Sequence, residues 1–164
     1  YCRKSISYFD FFTAPIKKEE KMLKGIPAIL SPELLKRLCE MGHSDRVLIA
    51  DGNFPSHTVG ANAHVIRMDG HGVCEILDAV LQLFPLDTYT ESPVKIMEKV
   101  PGDQVATPIW DEFKVIVAKY DSGENAIGSI ERFAFYEEAK SCYLIIATSE
   151  KALYGNIMLQ KGVV

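Results

Sequence analysis

Residues 41–55 read MGHSDRVLIADGNFP, and this stretch decides the fold around it. Gly42 has the position of the residue that follows the end of a helix. The apolar run at 47–50, with polar residues on both sides, is typical of a short strand covered on both faces. The strand would deliver Asp51 into a loop that contains glycine. We therefore expect His43 and Asp51 to lie near one pocket edge, where they form the best acid/base pair in the sequence.

Helix and strand signals alternate around this stretch. Ser31 has the position of an N-cap, with Pro32 first in a helix whose apolar face extends to Met41. Residues 51–64 are rich in Gly, Asn, Pro and Ser and predict a loop. Further strands are predicted at 65–68, 94–100, 127–130, 143–147 and 157–159, and further helices at 73–84, 109–117 and 133–140. The alternation predicts a single-domain α/β fold, a largely parallel sheet flanked by helices.

Residues 1–21 differ in composition from the rest of the chain. They combine an aromatic-rich piece with a charge cluster, and they precede Met22, the first methionine. They lack the long apolar core of a signal peptide. The sequence therefore predicts an N-terminal extension of unknown role at residues 1–21. Residues 22–164 form one domain, long enough to bury a substantial core.

Charge and cysteine usage limit the partners. The formal net charge of −4 disfavours nucleic acid, whose phosphates require clustered Lys and Arg. The four cysteines contain no C-x-x-C pair, which disfavours a zinc site or a disulfide framework and favours reduced thiols. No apolar run approaches the roughly 20 residues that span a bilayer. We expect a soluble, cytoplasmic protein with no membrane partner.

The sequence motifs of common cofactor sites are missing. There is no G-x-G-x-x-G, no P-loop and no G-x-S-x-G. The four histidines do not form H-E-x-x-H, and the glycines and the proline between them prevent a shared helical face. We predict no metal and no cofactor, although a metal site assembled in space stays open as an alternative. Metal-free acid/base chemistry and simple binding are left.

Other polar residues could line a site, although each has a simpler structural explanation. A histidine after a helix commonly caps it, and Asp before Gly commonly forms a turn. Asp87 follows a predicted helix, Arg132 and Tyr136 lie near a strand end, and residues 153–156 read as a turn. Together these residues supply carboxylates, a guanidinium, an amide and aromatic rings. That inventory suits a small polyhydroxylated molecule.

Several ordered stretches carry a resemblance to a known family. They are LKGIP at 23–27, SPELL at 31–35, MGH at 41–43, AD at 50–51 with NFP at 53–55, PLDTY at 85–89, ERF at 131–133 with FYE at 135–137, and LYGN at 153–156. Over residues 22–164 the chain resembles the D-ribose pyranase and fucose mutarotase family. The asparagine and phenylalanine after Asp51 and the Arg-Phe-x-Phe-Tyr-Glu stretch are more similar to its L-fucose mutarotase branch.

The resemblance implies roles for individual residues. His43 takes the position of the family's proton donor, and Asp87 and Tyr136 take further catalytic positions. Substrate contacts are implied for Asp51, Arg132, Tyr154, Gly155 and Asn156.

The resemblance also implies an assembly. Members of the family form ring-like homo-oligomers, in which the tyrosine-glycine-asparagine segment lies near a neighbour's pocket. A decamer is expected on this basis.

Two positions depart from the family pattern. Ser44 stands where glycine is usual after the histidine, and Ser149 stands where glycine is usual before Glu150. If either backbone has a positive φ, serine adds strain of roughly 1 kcal/mol or more.

The implied activity is the interconversion of the α and β anomers of L-fucose, an isomerase reaction of the aldose mutarotase type. Ring opening requires a proton on the ring oxygen while the anomeric hydroxyl loses one, and an imidazole of pKa about 6.5 suits that exchange. The sequence does not identify the second proton carrier. Two alternatives stay open: a non-catalytic monosaccharide-binding or regulatory module, and a pyranase acting on D-ribose or a similar sugar. The histidine spacing disfavours a third, a metal-dependent aldose-ketose isomerase.

Overall fold

The computed structural model describes residues 23–120 and 126–164, so the predicted extension at 1–21 lies outside the described residues. The helices are α1 (Pro32–Glu40), α2 (Ser56–Val59), α3 (Val73–Leu81), α4 (Ile109–Val117) and α5 (Arg132–Ala139). The strands are β1 (Arg46–Ala50), β2 (His64–Met68), β3 (Val94–Met97), β4 (Ile127–Ile130), β5 (Leu144–Thr148) and β6 (Ile157–Gln160).

The strands form one mixed sheet in the order β2-β5-β1-β6-β3-β4. Strand β6 runs antiparallel to both of its neighbours, β1 and β3, while the other neighbouring pairs are parallel. A parallel return usually needs a crossover of a dozen or more residues, and the segment between β5 and β6 is shorter and contains no helix. The predicted, largely parallel sheet flanked by helices is confirmed, with β6 as its antiparallel member.

Strand β1 lies at the centre of the core, and its side chains alternate between two apolar clusters. Val47 and Ile49 pack on one face, against buried residues of α1, α3 and α4. Leu48 and Ala50 pack on the other face, where Phe135 of α5 is fully buried. The expectation of a strand covered on both faces is therefore confirmed. Because β1 is held from both sides, the residues at its two ends are placed rigidly.

The start of α1 forms as predicted, whereas its end differs in detail. The Ser31 hydroxyl accepts a hydrogen bond from the Leu34 N–H at 3.2 Å, and Pro32 begins the helix. Gly42 follows the C-cap Met41, as its position predicts, but its φ is not positive. Its N–H instead donates to Asp45 Oδ2 at 2.7 Å. This hydrogen bond and the one from the Asp45 N–H to the Gly42 carbonyl, at 3.2 Å, hold the turn after α1 without a left-handed glycine.

Other element boundaries differ from the sequence-based predictions. The predicted loop at 51–64 contains the single turn α2, closed by the Gly60 N–H donating to the Ser56 carbonyl at 2.9 Å. Helix α3 ends at Leu81 rather than 84, and β3 ends at Met97 rather than 100. Strand β3 stops where its partner β4 gives way to α5.

Candidate active site

Asp51 and Asn156 meet where two central strands end. Asp51 follows β1 and Asn156 precedes β6, and the antiparallel register of these strands brings the two residues side by side. The Asp51 N–H donates to Asn156 Oδ1 at 2.9 Å, and Asn156 Nδ2 donates to Asp51 Oδ2 at 2.7 Å. Both side chains are buried. Burial raises the pKa of Asp51, and hydrogen bonds from the Asn53 N–H and Asn156 oppose that rise.

Two aromatic rings form one wall beside this carboxylate. The rings of Phe54 and Tyr136 stack with centroids 5.3 Å apart and planes within 8°. The guanidinium carbon of Arg132 lies 5.9 Å from the Tyr136 ring, a cation–π distance. Within residues 23–120 and 126–164, the Tyr136 hydroxyl has no hydrogen-bond partner. The phenol is therefore free to serve a ligand.

The segment 154–156 contributes another part of the lining through Tyr154 and Asn156. Tyr154 has a left-handed backbone with φ 59°, and its hydroxyl donates to Asp103 Oδ2 at 2.5 Å. This hydrogen bond raises the pKa of Tyr154 and lowers that of Asp103. Gly155 is required sterically, because a Cβ there would lie 2.9 Å from the Ala152 carbonyl oxygen. The glycine lets the chain pass close to the preceding turn on its way into β6.

These residues enclose a cavity of about 210 Å³. That size suits a small ring rather than a drug-sized ligand. Its lining combines two carboxylates, one of them buried, a guanidinium and two amides with aromatic and aliphatic side chains: Asp51, Asn53, Phe54, Met97, Asp103, Arg132, Tyr136, Leu153, Tyr154 and Asn156. The structure thus brings together the predicted positions 51, 132, 136, 154 and 156.

His43 and Asp87 form a second cluster. His43 Nε2 lies 3.3 Å from Asp87 Oδ1, and the His43 side chain is 44% exposed. Asp87 is buried and accepts hydrogen bonds from the Tyr89 N–H at 2.9 Å and Gln160 Nε2 at 2.8 Å. Those two bonds, followed by His43, lower the pKa of Asp87. A fixed carboxylate therefore orients an imidazole that remains accessible.

The backbone differs at the two serines that stand where the family usually has glycine. Ser44 has φ 69°, the left-handed region that favours glycine, and its N–H donates to the Lys161 carbonyl at 2.9 Å. Ser149 is not among the residues with positive φ. The expected backbone strain is therefore present at Ser44 and absent at Ser149.

The two clusters lie at opposite ends of β1, so the expectation that His43 and Asp51 share a pocket edge is wrong within one chain. The five residues of β1, at about 3.3 Å each, separate their ends by roughly 16 Å. His43 does not line the cavity that contains Asp51. The physical reason is simple: residues before and after a strand emerge at opposite edges of the sheet.

Sequence reasoning did not single out Asp103 or Met97 as site residues. Asp103 follows Pro101 and Gly102, a turn signal, but nothing local connects it with Tyr154, 51 residues later. Met97 lies within a predicted strand, whose two faces the sequence does not distinguish. Only the tertiary structure assigns both to the cavity.

Comparison with known proteins gives the site its context. The family model described as the RbsD / FucU transport protein family matches residues 24–164. The chain belongs to the RbsD / FucU family. It is 49% identical to the fucose mutarotase of Homo sapiens over 145 residues, covering 86% of this chain and 94% of that protein.

Solved structures agree with this membership. FucU from Bifidobacterium longum is 62% identical, with a TM-score of 0.84, over 86% of this chain and 99% of that one. A fucose mutarotase from Streptococcus pneumoniae, solved in complex with L-fucose, is 42% identical, with a TM-score of 0.81, over 87% of this chain and 99% of that one. This RbsD / FucU member therefore shares both sequence and fold with its relatives.

Two further properties concern the described part of the chain. No helix there is both long and apolar enough to cross a bilayer. Nor do three or more His, Cys, Asp or Glu side chains converge there in a group that could hold a metal ion.

Proposed function

We propose that this protein is an isomerase of the mutarotase type that interconverts the α and β anomers of L-fucose by metal-free acid/base ring opening and closure. The observation that carries the proposal is the cavity that a buried carboxylate, a buried amide and Arg132 line together with a stacked aromatic pair. Relatives 42–49% identical to this chain, over most of its length, are fucose mutarotases. The pocket size and this kinship agree on a monosaccharide substrate.

The reaction needs two proton transfers and no net change in the sugar's atoms. An acid places a proton on the ring oxygen while a base removes one from the anomeric hydroxyl, and the C1–O5 bond breaks to give the open aldehyde. Rotation about the C1–C2 bond and reclosure yield the other anomer. Positioned acid/base groups contribute roughly a hundred- to ten-thousand-fold to such steps.

The structure motivates a division of roles among the side chains. His43, oriented by Asp87 at 3.3 Å, is proposed as the proton donor. Tyr136 is proposed as the second proton carrier because its hydroxyl is unpartnered within the described residues. Arg132, Asp51 and Asn156 are proposed to hold sugar hydroxyls. Gly155 is proposed to contribute through its lack of a side chain, which lets the backbone pass close to the Ala152 carbonyl and so positions Tyr154 and Asn156.

Because His43 and the cavity lie at opposite ends of β1, we propose that His43 and Asp87 of one subunit complete the cavity of a neighbouring subunit. Large exposed side chains flank both clusters: Tyr89 is 79% exposed beside His43, and Phe133 is 72% exposed beside Arg132. Contact between subunits would cover these rings. The ring-like homo-oligomer that the family resemblance implies, expected to be a decamer, supplies such a contact.

Thiol chemistry does not compete with this mechanism. Burial raises the pKa of Cys74 and that of Cys142 to about 12 each, which makes both poor nucleophiles. Cys39, Cys74 and Cys142 are free thiols. Free thiols support a cytoplasmic location, which we propose together with a functional domain spanning residues 22–164.

Saturation-transfer NMR on the anomeric protons of L-fucose tests the activity. We expect wild-type protein to speed the exchange and His43→Ala to return it to the uncatalysed rate while sugar binding persists. His71→Ala is the matched control: the His71 side chain pairs with the exposed Glu75 of α3 at 2.9 Å and does not line the cavity, so this variant should exchange like wild type. Wild-type protein that binds fucose without speeding exchange would establish a non-catalytic binding module instead.

Mixing subunits tests the shared site. His43→Ala and Arg132→Ala are each expected to be inactive, but their co-assembled mixture should recover about a quarter of the sites, because random pairing rejoins intact halves. The control mixture of His43→Ala with Asp87→Asn carries both changes in the same half and should recover nothing. Equal inactivity of the two mixtures would contradict a site shared between subunits.

A further inference from the structure

Asp103 is a carboxylate in the cavity wall, on the segment between β3 and α4. Its Oδ2 accepts the hydrogen bond from the Tyr154 hydroxyl at 2.5 Å, and its Oδ1 accepts one from the Val105 N–H at 2.9 Å. The second bond fixes the Asp103 side chain to its own turn. Asp103 therefore presents a rigid acceptor to Tyr154 rather than a mobile surface charge.

Tyr154 is held from three directions. Its carbonyl accepts a hydrogen bond from Trp110 Nε1 at 3.0 Å, and the indole and phenol rings meet edge to face at 6.5 Å. Its hydroxyl oxygen also accepts from the Val100 N–H at 3.4 Å. These contacts hold the backbone at φ 59°, a conformation that a tyrosine rarely adopts unaided. The position of the ring thus depends on its anchors.

The anchoring separates the two tyrosines of the cavity by function. The single proton of the Tyr154 phenol points at Asp103, so giving it to a sugar would leave Asp103 without its donor. The Tyr136 phenol has no such partner within residues 23–120 and 126–164. One tyrosine is locked as part of the wall, and the other is available for proton exchange.

We propose that Asp103 is a positioning residue that locks Tyr154 as a fixed wall of the sugar pocket and withholds its phenol from proton transfer. This inference rests on the proposed function of the same cavity. The inference goes beyond the proposed function because it gives Asp103 a role in positioning Tyr154 and no contact with the sugar.

A double-mutant cycle in the intact protein tests the proposal. Asp103→Ala and Tyr154→Phe should each raise KM for L-fucose about tenfold, with kcat little changed, since each removes one end of a charge-assisted hydrogen bond. The double variant should be no worse than either single one, because both changes remove the same contact. Asp103→Asn keeps an acceptor oxygen and should recover most of the affinity. Asp111→Asn, an exposed carboxylate on α4, is the control and should behave like wild type.

Two results would overturn the proposal. Additive losses in the double variant would mean that Asp103 acts on the sugar directly. A fall in kcat of about a hundredfold in Tyr154→Phe alone would place that phenol in the proton transfer. If Asp103→Ala fails to fold, Asp103→Asn and Tyr154→Phe complete the comparison. If wild-type protein binds L-fucose without speeding its exchange, the same cycle read by calorimetric Kd tests Asp103 independently of the proposed catalysis.

Discussion

Asp51 and Asn156 exchange two hydrogen bonds, at 2.9 and 2.7 Å, across the ends of adjacent antiparallel strands. These two hydrogen bonds give the buried carboxylate and the buried amide their partners. They also fix the positions of two polar side chains that line the cavity. Stability and ligand binding are therefore linked at this point of the sheet.

Asn156→Ala should lower the free energy of unfolding by about 2 kcal/mol, because it leaves the buried Asp51 groups without their partner. Urea denaturation monitored by circular dichroism measures the change. Asn53→Ala is the control: it changes another cavity residue but keeps the backbone N–H that Asp51 accepts, and it should change stability by less than about 0.5 kcal/mol. Equal losses of stability in the two variants would argue against a structural role for the hydrogen bonds between Asp51 and Asn156.

The carboxylates at the two ends of β1 should show opposite pH dependence. Folding raises the pKa of Asp51, so its contribution to stability is full below the unfolded pKa and is lost as pH rises through the folded pKa. Folding lowers the pKa of Asp87, so its contribution is full above the unfolded pKa and is lost as pH falls through the folded pKa.

Unfolding curves of wild type, Asp51→Asn and Asp87→Asn between pH 3 and pH 7 test these signs. The stability advantage of wild type over Asp87→Asn should shrink towards acid pH. Relative to Asp51→Asn, wild type should gain stability towards acid pH. If the free energy of unfolding changed with pH in the same way for all three proteins, the pKa shifts assigned to Asp51 and Asp87 would be contradicted.

Ser44→Gly should stabilise the protein by about 1 kcal/mol, because glycine removes the penalty of a side chain at φ 69°. Ser149→Gly is the paired comparison. Its backbone is not left-handed, and its hydroxyl accepts a hydrogen bond from the Gly70 N–H at 2.9 Å, so glycine there should destabilise. Chemical denaturation of both variants gives the sign, and a loss of stability in Ser44→Gly would contradict the strain.

Gly155→Ala should destabilise the protein by about 1–3 kcal/mol and weaken L-fucose binding, because its Cβ would meet the Ala152 carbonyl at 2.9 Å and displace both neighbours. Thermal unfolding and calorimetry measure the two effects. Gly42→Ala is the stability control, since its Cβ would meet only Asp45 Oδ2, at an ordinary 3.7 Å. Unchanged affinity in Gly155→Ala would mean that the segment around it adjusts without cost to the site.

The elements with strong periodicity were predictable from the sequence. Helix α4 has the predicted bounds, since its buried residues recur on one face, and Ser31 and Pro32 begin α1 as their types require. The single turn α2 was not predictable, because a few local hydrogen bonds close it among residues that favour loops.

Part of the candidate site was likewise predictable from the sequence, and part was not. Family motifs supplied Arg132, Tyr136 and Asn156, which the structure brings to one cavity. His43 and Asp51 lie at opposite ends of β1, and the length of that strand keeps them apart. The types of the two residues suggested an acid/base pair, but residue types alone do not show which side chains lie at the same edge of the sheet. Asp103 needed the tertiary structure, because its contact with Tyr154 spans 51 positions of sequence.

The placement of His43 and Asp51 at opposite ends of β1 has a consequence for assembly. Under the proposed sharing, every copy carries one half of each of two different reaction centres and completes neither alone. An open row of subunits would leave one incomplete site at each end, whereas a closed ring completes every site. Activity should then fall when dilution takes the assembly apart, even though each separated chain keeps its fold.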